Sequence, residues 1–418
     1  IKSGTIHSLG LSSIFSRYGR HPAINKRKYS EIAADYLKER KVFSPQQRRR
    51  LIELVKFTQL TLTNPYDTLA LEQLCHHYGI GIDTEGNWDF LQSAVADILE
   101  RGVYLAPEKI SYEDMVWLPN FLDLPLSDYD FICVDEAQDL NKAQLDLVLR
   151  AHSHGARGIY VGDERQAIMG FSASDHRSIG NIIQRTSALT LPLSICYRCP
   201  TSHIELANEI YPVIEPRPGA PEGKVSEIQI SDLPNLVRGG DLIICRCFYP
   251  LIKIYFDLLS AGIPALIRNK DISGQLVNLL EQVFGVEPRS YTAEEFAKTL
   301  TVWYESQKAA MLSAGVEVMV IVGLHDRVQT LNAIYKGSKC KSTSDLLEAI
   351  TKLSKETKNP VNLTTIHGAK GLEADRVFHV RPDLVPHTRA AKDWEKEQER
   401  NLLFVALTRA KHELFFAE

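Results

Sequence analysis

The sequence predicts an α/β protein whose strands form parallel sheets. Two short apolar runs, residues 129–134 and 158–161, each end in a polar cluster. Buried strands of parallel sheets read as continuous apolar runs, and ligands bind just past the carboxyl ends of such strands. Helical patterns fill most of the remaining chain, and 418 residues is too long for one ordinary core. Two or more α/β domains are therefore expected.

The composition is that of a globular protein from a reducing compartment. Apolar residues make up 44% of the chain and charged residues 24%, and no apolar run is long enough to span a bilayer. The seven cysteines lack the dense spacing of a disulfide framework, so we expect a cytoplasmic protein, nucleoid-associated or in virus-infected cell cytoplasm, and not a secreted one. Because the net charge is −4, any nucleic-acid track must be a local basic groove.

The first quarter of the chain predicts a helical insertion. Residues 12–107 show no strand alternation, and helical periodicity appears at residues 29–37, 46–60, 66–78 and 88–100. Two basic clusters lie here, at Lys38, Arg40 and Lys41 and at residues 48–50. They either track phosphates or form a solvated helix face, which is the commoner role of a charge run. The α/β pattern resumes after residues 112–115.

The second half predicts another α/β domain with its own insertion. Residues 211–223 are rich in Pro and Gly and predict a loop. Strands are expected at residues 241–245, 265–268 and 361–366, and the region 273–358 is mainly helical. A last helix is expected to carry Arg409 and to pack Leu402, Val405 and Ala406 inward.

The carboxylates after the first strand suggest phosphoryl chemistry. Asp135 and Glu136 directly follow the apolar run 129–134. Phosphoryl transfer calls for one acidic group near Mg²⁺ and a second near the attacking water, and this pair fits those two roles. The alternative is an acidic turn that merely ends a core strand.

Six segments in order resemble the motifs of one enzyme family. They are residues 4–8, 129–139, 158–166, 193–198, 361–373 and 401–411. In order and spacing the last five look like motifs II to VI of the UvrD/Rep-type superfamily 1 DNA helicases, and residues 4–8 resemble the short DNA-contacting motif Ib. The likeness runs from residue 4 almost to the last residue.

The resemblance implies an α/β fold of two RecA-like P-loop NTPase lobes with parallel sheets, each interrupted by a mainly helical insertion. Residues 1–12 and 108–190 would form the first lobe, incomplete at its amino terminus, with residues 13–107 as its insertion. Residues 191–272 and 359–418 would form the second lobe, with residues 273–358 as its insertion.

The resemblance also implies ATP and Mg²⁺ as cofactors and assigns residues to them. Asp135 would hold Mg²⁺, and the catalytic group would comprise Asp135, Glu136, Gln166, Arg198 and Arg409. Gln166 would sense the γ-phosphate, and Arg409 would act as the arginine finger presented by the second lobe. The ATP-binding residues would be Tyr197, which can stack on adenine, with Arg198, Gly371, Glu373 and Arg409.

DNA contacts follow from the same resemblance. Thr5 and His7 in the first lobe and Thr365 and His367 in the second match positions that hold the phosphate backbone, and Phe171 matches an aromatic that stacks on a base. Expected partners are single-stranded DNA and duplex/single-strand junctions, with 3′ to 5′ movement. Two departures stand out: Met169 replaces a common tyrosine, and Cys196 replaces the asparagine common before the Tyr-Arg pair.

One expected feature does not occur in this sequence. No Walker A Gly-Lys-Ser/Thr run is present, since the Gly-Lys pair at residues 223–224 is followed by Val225. Because the chain starts at Ile1, we expect the natural protein to be longer and to carry the phosphate loop upstream. The sequence thus predicts an ATP-dependent DNA helicase or translocase, or, as the alternative, a truncated or degenerate relative that binds DNA without hydrolysis.

A zinc site is a further alternative. Cys196 and Cys199 form a CxxC pair, and Cys245 and Cys247 form a CxC pair, so the four could bind zinc together. We favour the other interpretation, in which the first pair brackets the nucleotide motif and the second ends a buried strand, where cysteine acts as a small apolar residue.

Overall fold

The computed structural model describes residues 3–42, 45–78, 80, 88–153, 155–168, 178–268, 270–285, 287–313, 316, 318–355 and 357–418. The chain divides into two compact units, residues 1–190 with 313–317 and residues 191–312 with 318–418. No described helix combines the length and the apolar character needed to cross a membrane. The finer lobe and insertion boundaries given above stay predictions.

The first unit is mainly helical. Its helices are α1 Ile6–Tyr18, α2 Lys28–Glu39, α3 Pro45–Leu60, α4 Thr68–Tyr78, α5 Trp88–Leu105, α6 Tyr112–Phe121, α7 Lys142–Ser153 and α8 Ser178–Thr186. Its strands are β1 Ala23–Ile24, β2 Lys109–Ile110, β3 Phe131–Val134 and β4 Arg157–Tyr160. The four predicted helices of the insertion are confirmed as α2 to α5, and the expectation of no strand there missed β1, which pairs with β2 over two residues only.

The helices of the first unit pack around a polar centre as well as an apolar core. Asp114 on α6 is fully buried and accepts hydrogen bonds from Lys28 Nζ at 2.5 Å, Tyr29 Oη at 2.6 Å and Gln59 Nε2 at 3.1 Å. A buried carboxylate is tolerated only when it is paired and hydrogen-bonded. Since these donors come from α2 and α3, the cluster joins three helices at one point.

Strands β3 and β4 form a parallel pair with one open face. Val134 is buried, whereas Phe131 is 51% and Ile159 is 50% exposed. Parallel strands are normally covered on both faces. Among the described residues, this face therefore presents apolar side chains to solvent.

The second unit is built on a six-stranded parallel sheet in the order β7-β12-β11-β8-β10-β9. Its strands are β5 Ile195–Cys196, β6 Glu215–Pro216, β7 Lys224–Ile228, β8 Leu242–Cys245, β9 Ala265–Ile267, β10 Val361–Thr365, β11 Ala374–Val380 and β12 Ala410–Ala417. Its helices are α9 Thr201–Ile210, α10 Leu233–Leu236, α11 Tyr249–Ser260, α12 Lys270–Phe284, α13 Ala293–Ser313, α14 Val318–Gly337, α15 Thr343–Lys352, α16 Ile366–Ala369 and α17 Asp393–Leu407. The strands predicted from residues 241, 265 and 361 are confirmed as β8, β9 and β10.

One local prediction was wrong. Arg409 does not lie on the last helix, because α17 ends at Leu407 with Thr408 as its C-cap, and β12 begins at Ala410. The chain leaves the helix here because the segment from Ala410 onward pairs with β11. The inward face of the helix is as predicted, since Leu402, Val405 and Ala406 are fully buried.

Candidate nucleotide site

In the first unit, parallel pairing brings the two predicted polar strand ends together. Val134 lies opposite Tyr160, and the N–H of Val161 donates to the carbonyl of Val134 at 2.8 Å. The chain leaves β3 through Asp135 and Glu136, whose side chains are both exposed. The catalytic candidates on the two strands therefore lie at one edge of the sheet.

The turn after β3 is held in an uncommon backbone conformation. Glu136 has φ of +53°, in the left-handed region that residues other than glycine rarely adopt, and its N–H donates to Asp135 Oδ1 at 2.9 Å. The N–H of Ala137 donates to the carbonyl of Val161 at 2.9 Å, which ties the turn to the end of β4. Such strained residues occur often at functional sites, where the surrounding structure holds them.

Gln138 links the two strand ends, and sequence reasoning missed it. Its side chain is 2% exposed; Nε2 donates to Glu136 Oε2 at 2.6 Å, and Oε1 accepts from the N–H of Asp163 at 3.0 Å. A Cβ at Gly162 would lie only 2.5 Å from that same Oε1, so the absence of a side chain at Gly162 keeps the link in place. The sequence feature that could have identified Gln138 is its position in the same motif, three residues after Asp135.

Gln166 is joined to the same group of side chains. The turn Glu164–Gln166 begins at Asp163, which accepts from the N–H of Arg165 at 3.0 Å and from Gln166 Nε2 at 2.9 Å. Hydrogen bonds therefore run from Glu136 through Gln138 and Asp163 to Gln166. Three of the predicted catalytic residues, Asp135, Glu136 and Gln166, are thus gathered in this unit, and Asp163 is a second member that the sequence did not single out.

The donor set at the end of β3 suits Mg²⁺. This ion is usually bound by one or two carboxylates together with water and substrate phosphates, and not by a complete protein cage. Asp135 and Glu136 are two adjacent, exposed carboxylates. Among the described residues, no group of three or more His, Cys, Asp and Glu side chains could hold a metal by itself. A carboxylate that shares the ion with phosphate oxygens fits this arrangement.

In the second unit, Glu373 forms ion pairs with two basic side chains, Arg198 and Lys411. Arg198 Nε lies 2.6 Å from Glu373 Oε2, and Lys411 Nζ lies 2.5 Å from Glu373 Oε1. Hydrogen bonds from Lys411 and Arg198 lower the pKa of the Glu373 carboxyl, so it is ionised at neutral pH. The contact exists because Ala374 pairs with Ala410, which sets the turn before β11 beside the start of β12. Lys411 was not predicted, although it lies two residues after Arg409.

Arg409 is buried and bonded to the residue before Glu373. It is 1% exposed; Nε donates to the carbonyl of Val405 at 2.9 Å, Nη1 to the carbonyl of Leu372 at 3.4 Å and Nη2 to Thr408 Oγ1 at 2.9 Å. Arg198 Nη1 approaches the carbonyl of Thr408 at 3.5 Å. The two arginines are therefore neighbours around Thr408; Arg198 is half-buried, and Arg409 is fully buried and bonded to backbone carbonyls.

The remaining nucleotide candidates lie on the surface of the second unit. The ring of Tyr197 is 75% exposed, so one face is open to a stacking partner. Gly371 has φ of +77°, and nothing lies within 4 Å of an added Cβ, so glycine is favoured here by backbone conformation and not by lack of space. This turn presents Glu373 to Arg198.

Four of the five predicted DNA-contacting residues, Thr5, His7, Thr365 and His367, lie at helix starts. Thr5 caps α1 by accepting from the N–H of Ser8 at 3.2 Å, and Thr365 caps α16 by accepting from the N–H of Gly368 at 3.2 Å. Burial lowers the pKa of His7, and burial with the charge of Arg246 lowers the pKa of His367 to about 3. Both imidazoles are therefore neutral at physiological pH.

The predicted stacking residue Phe171 lies outside the described residues, and so does Met169, which departs from the family pattern.

The zinc alternative finds no support in the cysteines that suggested it. Cys196, Cys199, Cys245 and Cys247 are all described and are free thiols, and no metal-binding cluster forms within the part of the chain that the structure describes. Cys245 is fully buried in β8, as expected of a cysteine that packs as an apolar residue.

Both parts of the chain match one family of proteins. The UvrD/REP helicase N-terminal domain matches residues 2–187, and the UvrD-like helicase C-terminal domain matches residues 287–418. The chain belongs to the UvrD/Rep-type helicases. The resemblance in the sequence motifs is thereby confirmed, and so is the α/β fold of two RecA-like lobes that it implied.

Similar proteins come from a fungus and from bacteria. The F-box DNA helicase protein 1 of Schizosaccharomyces pombe is 27% identical over 330 residues, which cover 73% of this chain and 35% of that protein. The ATP-dependent DNA helicase Rep of Buchnera aphidicola is 38% identical over 74 residues, 17% of this chain and 11% of that protein. The ATP-dependent DNA helicase PcrA of Staphylococcus epidermidis is 46% identical over 65 residues, 14% of this chain and 9% of that protein. The matched part spans about a third or less of each relative.

Proposed function

We propose that this chain is the motor part of an ATP-dependent DNA helicase or single-strand DNA translocase that moves 3′ to 5′. The observation that carries the proposal is the strand-end group of the first unit, in which Asp135, Glu136 and Gln166 meet through Gln138 and Asp163. An acidic turn that only ended a core strand would not require a buried glutamine to fix a carboxylate. The names and domains of the relatives support the same activity.

Each member of the strand-end group has a distinct role in this proposal. Glu136 accepts the proton of a water that attacks the γ-phosphorus of ATP, and ADP leaves as the bond to the bridging oxygen breaks. Mg²⁺, when bound at Asp135, would neutralise charge on the phosphates. Gln138 orients the Glu136 carboxylate through its 2.6 Å hydrogen bond, and Gln166 reports the state of the γ-phosphate through Asp163.

The second unit supplies positive charge to the phosphates. Arg198 is held ready by Glu373, and Arg409 would have to exchange the carbonyls of Val405 and Leu372 for phosphate oxygens. We infer that this exchange accompanies ATP binding, because a guanidinium gains more from a charged acceptor than from a neutral carbonyl. Hydrolysis would then release Arg409 back to its buried position and so couple chemistry to movement of the chain.

DNA binding in this proposal uses hydrogen bonds more than charge. Thr5, Thr365 and the neutral imidazoles of His7 and His367 can donate to phosphate oxygens without adding positive charge. This agrees with the net charge of −4, which gives no general attraction to DNA. Single-stranded DNA and duplex/single-strand junctions are the proposed partners, and the polarity rests on the family resemblance.

The test compares DNA-stimulated ATP hydrolysis by the full-length natural protein with that of its Glu136→Gln variant. We expect roughly a 10²- to 10⁴-fold loss of turnover, the usual contribution of a general base, with ATP and single-strand binding retained. Glu108→Gln is the matched control, because Glu108 is an exposed glutamate of the same unit that makes no hydrogen bond to Asp135, Glu136, Gln138 or Asp163 among the contacts of the described residues. Equal turnover in all three proteins would remove Glu136 from the mechanism. A parent that binds DNA without hydrolysing ATP would favour the non-hydrolysing alternative.

A further inference from the structure

Two cysteines flank Tyr197 and Arg198, the predicted ATP-binding residues at the start of the second unit. Cys196 ends β5, and Cys199 lies just before α9, with Tyr197 and Arg198 between them. The N–H of Cys199 donates to the Sγ of Cys196 at 3.4 Å, and the thiol of Cys199 donates to the carbonyl of Thr408 at 3.6 Å. Cys196 is half-buried, whereas Cys199 is 3% exposed. The two cysteines therefore meet in a short turn, and Cys196 is the more open of the two to solvent.

The surroundings give the two thiols different pKa values, so that Cys196 is the nucleophile and Cys199 its neutral partner. The neighbouring Cys199 side chain is the largest influence on Cys196, and with the N–H groups of Cys199 and Arg198 and the charge of Arg198 it lowers the pKa of Cys196 to about 5. The neighbouring Cys196 side chain, with burial, raises the pKa of Cys199. At neutral pH the pair is a thiolate beside a neutral thiol, an arrangement found in reactive CxxC sites.

Four of the other five cysteines do not share these surroundings. Burial raises the pKa of Cys75 and Cys245 to about 12 and that of Cys247 and Cys340 to about 11. Reactivity towards oxidants follows thiolate character and access to solvent. Cys196 is therefore expected to react faster than these four cysteines.

We propose that Cys196 and Cys199 form a reversible dithiol–disulfide site that is oxidised by hydroperoxides. The Cys196 thiolate attacks one peroxide oxygen, the O–O bond breaks, and the departing oxygen takes a proton and leaves as water, or as an alcohol from an alkyl hydroperoxide. The Cys199 thiol then gives up its proton and attacks the Cys196 sulfur, the S–O bond breaks, and a second water leaves. In sum, two thiols and one hydrogen peroxide give one disulfide and two waters.

Oxidation would displace Arg198, a predicted ATP-binding residue. Its effect on ATP turnover rests on the proposed function. The sulfurs must approach to about 2.05 Å, so Cys199 must leave the carbonyl of Thr408, which its Sγ now approaches at 3.6 Å. Arg198 Nη1 approaches the same carbonyl of Thr408 at 3.5 Å, and Arg198 lies within the four-residue segment that the disulfide would close. The bond would therefore shift Arg198 away from Glu373 and lower ATP turnover until a thiol reductant restores the pair.

The first experiment is independent of any nucleotide. The reduced protein is treated with a small excess of hydrogen peroxide near neutral pH, and the remaining thiols are alkylated and mapped by mass spectrometry. We expect the peptide that contains residues 196–199 to be two hydrogens lighter and unalkylated, and to regain both thiols with dithiothreitol. In Cys199→Ser, Cys196 should instead accumulate as a sulfenic acid that dimedone traps. In Cys196→Ser, Cys199 should stay reduced.

The exposed Cys133 supplies an internal comparison. Near pH 6, the Cys196 thiolate should be alkylated roughly tenfold faster than an ordinary exposed thiol, because its larger thiolate fraction outweighs its lower intrinsic nucleophilicity. Equal alkylation of Cys196 and Cys133, or a 196–199 peptide that keeps both thiols after peroxide treatment, would overturn the proposal. Absence of ATP hydrolysis by the reduced protein would instead contradict the proposed function and leave the disulfide result standing.

Discussion

A buried histidine predicts a specific loss of stability in acid. His379 lies on β11 between Ile244 of β8 and Phe416 of β12, and its side chain is fully buried. Neither ring nitrogen has a hydrogen-bond partner among the described residues. Burial lowers the pKa of His379 from 6.5 to about 4, while the nearby charge of Asp383 acts weakly in the opposite direction.

The sign and size of the effect follow from proton linkage. Below pH 6.5 the unfolded chain binds a proton at His379 that the folded chain does not bind until about pH 4, so the free energy of unfolding falls as the pH falls through this window. Between about pH 7.5 and about pH 5, the difference amounts to roughly 2 kcal/mol for this one side chain, at about 1.4 kcal/mol for each pKa unit that separates the two states.

The perturbation is His379→Leu, which keeps an apolar side chain of similar size and removes the proton site. Because the second unit unfolds within a larger chain, we would read the local free energy of opening by native-state hydrogen exchange at the amides of β8, β10 and β11. Between about pH 7.5 and about pH 5, the free energy of opening should fall by roughly 2 kcal/mol less in the variant than in the parent. His412→Leu is the matched control, since His412 lies on β12 of the same sheet and is 63% exposed.

An equal loss in the parent and in His379→Leu would refute this reasoning, because it would mean that His379 takes up its proton in the folded sheet near its ordinary pKa. A reduced loss in the His412→Leu control as well would mean that the acid effect is not specific to the buried ring.

Three further predictions concern stability and nucleotide binding. Asp114→Asn should destabilise the first unit by about 3–5 kcal/mol in chemical denaturation, because Lys28 is fully buried with it, whereas the neighbouring Glu113→Gln should have little effect. Gly10→Ala should lower the thermal midpoint, since an added Cβ would lie 1.7 Å from a backbone carbonyl oxygen of α6; an unchanged midpoint would show that α1 can shift freely. Tyr197→Ala should weaken ATP binding by about 1–3 kcal/mol without changing the melting temperature, because the ring is 75% exposed, and unaltered calorimetric affinity would exclude adenine stacking there.

Much of the candidate site was accessible from local sequence because its members stand at strand ends. The runs before Asp135 and Gln166 are short, apolar and followed directly by polar residues, and the structure pairs these two strands. The helices between residues 28 and 105 were equally accessible, since their apolar spacing repeats within each segment. Gln138 escaped notice because nothing in its neighbourhood reveals that it accepts a hydrogen bond from a residue 25 positions later.

The sequence by itself determined the positions of strands β3, β4, β8, β9 and β10, the polar groups that follow the first two and the family to which the chain belongs. Only the tertiary structure decided that Arg409 leaves the last helix and is buried against carbonyls, and that Glu373 holds Arg198 from 175 positions away. The physical reason is range: propensity and apolar periodicity act within a few residues, whereas such contacts depend on which strands become neighbours. Here the parallel pairing of β11 with β12, which no local pattern specifies, sets Glu373 beside Arg409 and Lys411.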